Sequence, residues 1–217
     1  MRPKRRFRPA PATLTGSLAA LLAVTAVLGG ASAATARDSA DRVHAERNSA
    51  PGADRARRLV DRSPDLVQPR ELTVDGSLGA RRAALEIRLA QQLYTFWNTG
   101  EQRHLDAAVD RDFRDNTLPA GRPQGPTGPA VASRAFRTAV PDLSCELADL
   151  LVTGDKLTAR LVFRGHFTGV FEGRAGRGQA VEFSAIDIQH VGARRITEDW
   201  HLEDNATLLA QLGAAAG

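Results

Sequence analysis

Leu85, Leu89, Leu93, Phe96 and Trp97 recur at the spacing of a single helix face, which predicts a long amphipathic helix. Asn98-Thr99-Gly100 ends it, because glycine suits the left-handed conformation of a helix C-terminus. A short second helix is predicted over 101–109, with Leu105 and Val109 turned inward. A third spans about 129–139, opening with Pro129 in its first turn and stopped by Pro141-Asp142. Between these two helices, Asn116 to Pro129 is dense in proline and glycine and reads as a loop. Beyond Pro141 the period shortens to two. Strands are predicted over 143–152, 157–168, 181–191 and 196–202, with turns at Gly154-Asp155 and Gly192-Ala193 and a glycine-rich connection after the second strand. Asp204 stands where it would cap a last helix over 205–212. Helices first and strands after, rather than alternating, predict an α+β domain over 78–214: about three helices packed on one face of a mainly antiparallel, four-stranded sheet.

Residues 34–77 lack a sustained period. They are rich in alanine, arginine and aspartate, so they bury too little apolar surface to offset the entropy of ordering and read as a disordered spacer. Residues 1–33 have the three parts of a secretory signal: a basic Arg2 to Arg8 stretch, an apolar Leu18 to Leu28 run, and Ala31-Ser32-Ala33 as a cleavage site. The apolar run is too short for a spanning helix, so an exported protein without a membrane span after processing is expected. The net charge of +4 and the basic composition suggest at first a nucleic-acid partner. All of that excess lies in residues 1–33, which carry five basic groups and no acidic one. The remainder is close to neutral, so the electrostatic case for nucleic acid disappears with the leader. The single cysteine, Cys145, sits in an apolar strand pattern and reads as a small core residue.

One residue breaks the apolar pattern where it matters. In Phe183-Ser184-Ala185-Ile186-Asp187-Ile188-Gln189-His190-Val191, alternation places Asp187 on a face with Phe183, Ala185 and Gln189. A carboxyl there is costly unless it is paired or protonated. In a pocket closed by helices its pKa rises, and it becomes a proton-transfer group near neutral pH. A solvated face, or pairing with Arg160 or Arg164, is the alternative. His166 shares a strand face with Arg160, Val162 and Arg164. The five histidines show no metal-ligand spacing, and no phosphate loop, dinucleotide motif or nucleophile motif occurs.

The stretch from about 85 to 213 resembles the SnoaL-like polyketide cyclase, or ester cyclase, family of the nuclear transport factor 2-like superfamily. The resemblance is carried by Tyr94-Thr95-Phe96-Trp97-Asn98-Thr99-Gly100, Ala139 to Leu143, Gly154-Asp155-Lys156 and Arg164 to Phe171. Ala185 to Ile188, Glu198-Asp199-Trp200, and Asp204 with Leu208 to Gly213 complete it. It implies a cone-shaped α+β barrel with a deep pocket for a hydrophobic small molecule, cofactor-free chemistry, and a homodimer through the sheet. It further implies that Asp187 is the acid/base of an intramolecular aldol condensation, with His166 as second catalytic candidate. Asn116, Phe167, Phe183, Trp200, Tyr94 and Trp97 are then the candidate substrate contacts. Where the family commonly has Gly-Thr-His-Thr-Gly, this chain has Gly165-His166-Phe167-Thr168-Gly169, so His166 takes the threonine position. A non-catalytic binding protein using the same pocket is the alternative function.

Overall fold

The computed structural model describes residues 51–214; the expected leader at 1–33 and the first part of the expected spacer lie outside the described residues. The long amphipathic helix forms as α2 (Ala80–Thr99), and Gly100 closes it at φ 77° with its N–H donating to the Phe96 carbonyl. Next come α3 (Gln102–Ala108) and, after the proline-rich loop, α4 (Thr127–Ala139). The strands β3 (Ser144–Thr153), β4 (Lys156–Phe167), β7 (Gln179–Val191) and β8 (Ile196–Glu203) form the expected antiparallel meander. The glycine-rich connection carries a small hairpin, β5 (Val170–Phe171) with β6 (Arg174–Ala175). Asp204 caps α5 (Asn205–Gln211), its side chain accepting from the Thr207 N–H.

The sheet has six strands rather than four, in the order β1 (Glu71–Val74), β3, β4, β7, β8 and β2 (Val109–Asp115). Its two extra strands are parallel additions at the edges. β2 (Val109–Asp115) lies along β8, so Val109 begins a strand instead of ending a helix. β1 (Glu71–Val74) lies along β3, inside the segment expected to be a disordered spacer. The order of residues 51–77 has a long-range cause. Gln91 of α2, fully buried, accepts from the Asp61 N–H and donates to the Asp61 and Val67 carbonyls, while the Thr95 hydroxyl accepts from the Val67 N–H. Arg55 of α1 (Pro51–Arg57) donates to the carbonyls of Gly76 and Leu78. Ala56 and Leu66 are buried, and Leu59, Val60, Leu72 and Val74 pack against the core. Buried hydrogen bonds therefore dock a segment whose own hydrophobicity is low.

Along β7 burial alternates strictly, with Val181, Phe183, Ala185, Asp187, Gln189 and Val191 turned inward. Inward residues of β4 (Leu157, Ala159, Leu161, Phe163) lie beside them, and Tyr94, Ile87 and Ala90 of α2 complete the same core. Ile186, Ile188, Trp200 and Leu202 lie on the outer face, all exposed. Among the described residues no helix is long and apolar enough to cross a membrane.

Candidate functional site

β7 and β8 are registered so that Asp187 pairs with His201, and Gln189 with Asp199. β2 extends the row, with Asp115 opposite Asp199. Alternation along β8 then turns Asp199, His201 and Glu203 toward Asp187 and turns Trp200 and Leu202 away. Four carboxyls and one imidazole thus meet at one end of the inner sheet face, together with Arg122 from the proline-rich loop. Trp97, Phe136, Phe163 and Phe183 wall the cavity above them. Phe183 stacks on Phe163 at 5.0 Å and on Phe136 at 5.9 Å, and Trp97 meets Phe163 edge-on at 6.2 Å.

Asp187 is only 6% exposed. The Tyr94 hydroxyl donates to its Oδ2 at 3.3 Å, and the Gln189 amide donates to the Tyr94 oxygen at 2.9 Å and to the same Oδ2 at 3.4 Å. Burial raises the Asp187 pKa from 3.8 to about 7, with His201 and the Tyr94 hydrogen bond opposing and Glu203 and Asp115 assisting. Asp199, whose Oδ1 is buried without a hydrogen-bond partner among the described residues, is pushed well above the carboxylate range by burial and by Asp187. His201 bridges the cluster: Nδ1 lies 2.7 Å from Glu203 Oε1, and Nε2 lies 3.1 Å from Asp115 Oδ2. Burial alone would lower the His201 pKa, but Glu203, Asp199 and Asp115 outweigh it and hold it at about 9. At neutral pH His201 is therefore an imidazolium, and Asp187 is divided between its acid and base forms.

Of the residues singled out in the sequence, the structure brings together Asp187, Tyr94, Trp97 and Phe183. It separates the others from them. His166 pairs with Ala180 across β4 and β7, seven positions along β7 from Asp187, or roughly 23 Å at the rise of a strand. Its Nδ1 lies 2.7 Å from Asp142 Oδ2 on the exposed surface, so His166, the second catalytic candidate, stands apart from Asp187. Phe167 is buried in the core outside the cavity wall. Asn116 donates to Glu198 Oε2 at 3.0 Å, beside the site rather than in it. Trp200 is 37% exposed on the outer sheet face, with the Lys156 ammonium 5.7 Å from its ring centroid. Neither Arg160 nor Arg164 reaches Asp187, because both pair with acids on the outer face. Cys145 is a buried thiol whose pKa burial pushes up, which leaves it unreactive. The residues missed in the sequence are Asp115, Asp199, His201, Glu203 and Arg122. Their signal was the alternating Asp199-x-His201-x-Glu203, three charged positions on one face of a strand next to Asp187.

A family model described as SnoaL-like polyketide cyclase matches residues 87–212. Among solved structures, a candidate polyketide cyclase from Bacillus cereus ATCC 10987 is 44% identical at a TM-score of 0.66, covering 72% of this chain and 99% of its own. TsrD from Streptomyces laurentii is 31% identical at a TM-score of 0.55, covering 60% of this chain and 96% of its own. IdmH, a candidate polyketide cyclase from Streptomyces antibioticus, is 28% identical at a TM-score of 0.53, covering 58% of this chain and 96% of its own. No protein of curated function matches.

Proposed function

This chain belongs to the SnoaL-like polyketide cyclase family, and from that premise we propose that it is an exported, cofactor-free cyclase or isomerase using Asp187 as acid/base on a carbonyl compound. The observation that carries the reading is the Asp187 carboxyl, held by Tyr94 and Gln189 at the closed end of an aromatic-walled cavity and poised at about 7. Such a group is half ionised at neutral pH, and so serves either direction of proton transfer. The ionised form takes the α-proton of a bound carbonyl compound, leaving an enolate. In a cyclisation the enolate carbon attacks a second carbonyl of the same molecule, and the new alkoxide takes the proton back from Asp187.

The surroundings suit that sequence. The aromatic wall of Trp97, Phe136, Phe163 and Phe183 keeps water from the enolate. The His201 imidazolium offsets the developing negative charge through the field, because both its nitrogens are already engaged by Glu203 and Asp115. It is a positioning and electrostatic group rather than a proton donor to substrate. Export is supported by the basic, apolar and small-residue order of residues 1–33.

The test is solvent-deuterium incorporation at the α-carbon of an α-methyl-β-keto ester, followed by NMR. The protein is expected to accelerate exchange well above buffer, with a rate that rises as pH passes through about 7. Exchange at the buffer rate across pH 5 to 9 would discard acid/base catalysis and leave the site as a binding pocket.

A further inference from the structure

The space beside Asp187 is small. The cavity over the acid floor has a volume of about 30 Å³, enough for one or two water-sized groups and no more. A carbonyl fits there; the body of a substrate does not. Its place is next door, in a groove of about 350 Å³ that shares Arg122, Phe136 and Phe183 with the floor cavity. That volume falls within the range of small-molecule sites. The groove runs between α4 and α5, and is lined by Val131, Ala132, Ala135, Leu208 and Leu212 together with the shared residues.

Arg122 stands at the junction and is, among the described residues, the only polar side chain in the groove lining. Its side chain is 19% exposed, and its nearest acid is Asp115, with Nη1 3.9 Å from Oδ2. That is beyond hydrogen-bond range. Asp115 is also spoken for, since Oδ2 takes His201 and Oδ1 takes the Thr117 N–H. Among the described residues the Arg122 guanidinium makes no hydrogen bond. Its fork of donors is thus open to a ligand, and a carboxylate matches it two-for-two. A dianionic phosphate suits the place less well, because Asp115 and Glu203 line the same cavity and repel a second charge.

We propose that this site takes a carboxylate-bearing amphiphile, with its head held by Arg122 beside Asp187 and its apolar body lying in the groove between α4 and α5. The chemistry done on that head rests on the acid/base reading of Asp187, whereas the seating of the molecule does not. Arg122 is thus the residue that selects the head group, and the groove sets the size of the apolar body accepted.

Binding of decanoate and of 1-decanol to the full chain, measured by calorimetry, separates the two halves of the proposal. Decanoate is expected to bind, and 1-decanol to bind at least about tenfold more weakly, as a lost charged hydrogen-bonding pair implies. Arg122→Gln should weaken decanoate by about 10–100-fold and leave 1-decanol unchanged. Arg122→Lys keeps the charge but not the fork, and should fall between Gln and wild type. Ala135 is exposed on α4, so Ala135→Trp should fold normally and weaken both ligands by filling the groove. Asp187→Asn should still bind decanoate, so a chain that binds decanoate through Arg122 but exchanges no α-proton would fail only the catalytic reading. Equal binding of acid and alcohol, or decanoate affinity unmoved by Arg122→Gln in a variant that melts like wild type, would overturn the head-group assignment. Affinity unmoved by Ala135→Trp would overturn the groove.

Discussion

Asp187→Asn is expected to slow α-proton exchange by about 10²–10⁴-fold, the usual contribution of a positioned general base. The amide has nearly the same shape and accepts the Tyr94 hydroxyl on its carbonyl oxygen, so the wall and floor of the cavity persist. What is lost is the proton-accepting group. The stability consequence runs the other way and makes the result interpretable. A carboxyl whose folded pKa is raised from 3.8 to about 7 binds its proton more tightly in the folded chain than in the unfolded one. Its contribution is therefore present at low pH and is lost as pH rises from about 4 to 7. Above pH 7 the wild type carries a buried carboxylate that the variant lacks. Asp187→Asn should then be as stable as wild type or more stable, by about 1–3 kcal/mol at pH 8. Exchange activity and urea midpoints of one preparation check both halves. An active Asn variant, or an inactive one that is also less stable at pH 8, contradicts the assignment.

The second large effect concerns His201. Its side chain is 9% exposed and that of Asp115 4%, so the pair is buried. Removing one partner of a buried ion pair strands the other, at a cost of about 3–5 kcal/mol. His201→Ala should lose stability on that scale at pH 8. The wild-type histidine, raised to about 9, stabilises fully below the unfolded value of 6.5 and loses that contribution as pH rises through 9. The deficit should therefore be larger at pH 5, where the wild-type imidazolium contributes fully, than at pH 8, where part of that contribution is already lost, a dependence that a merely cavity-forming loss would not show. Because His201 holds the Asp187 pKa down, its removal should also move the exchange profile to higher pH. Urea midpoints at pH 5 and pH 8, with the exchange profile alongside, test the argument. A loss below about 1 kcal/mol that is the same at both pH values would show the imidazolium to be dispensable.

These expectations locate what was legible in the sequence. β7 could be read because its inward set is mostly apolar, and a lone carboxyl in it marks both the face and the site. β8 misled for the opposite reason. Its inward positions are the polar ones, Asp199, His201 and Glu203, while Trp200 and Leu202 face outward. Hydrophobicity points inward only where the interior is apolar, and here the interior is an acid/base floor. His166 was drawn toward the site by the family resemblance, but its position on β4 decides its neighbours, and Asp142 is the one it meets. The segment 51–77 was undervalued because its order comes from Gln91 and Thr95, thirty or so residues away in α2. Polar residues of a helix reveal such a role only once the partner segment is in place. The α+β class, the long helix and the central meander needed only local period and turns, and these the chain displays openly.

The central claim is that Asp187 titrates near neutrality because the fold buries it between helix and sheet. A carbon-13 NMR titration of the aspartate side-chain carboxyls, with Asp187→Asn supplying the assignment, measures this directly. A resonance that moves with a midpoint near 7 and is absent from the variant is expected. A midpoint near 4 would mean an ordinary, solvated carboxylate, and the proposed chemistry at Asp187 would fall with it.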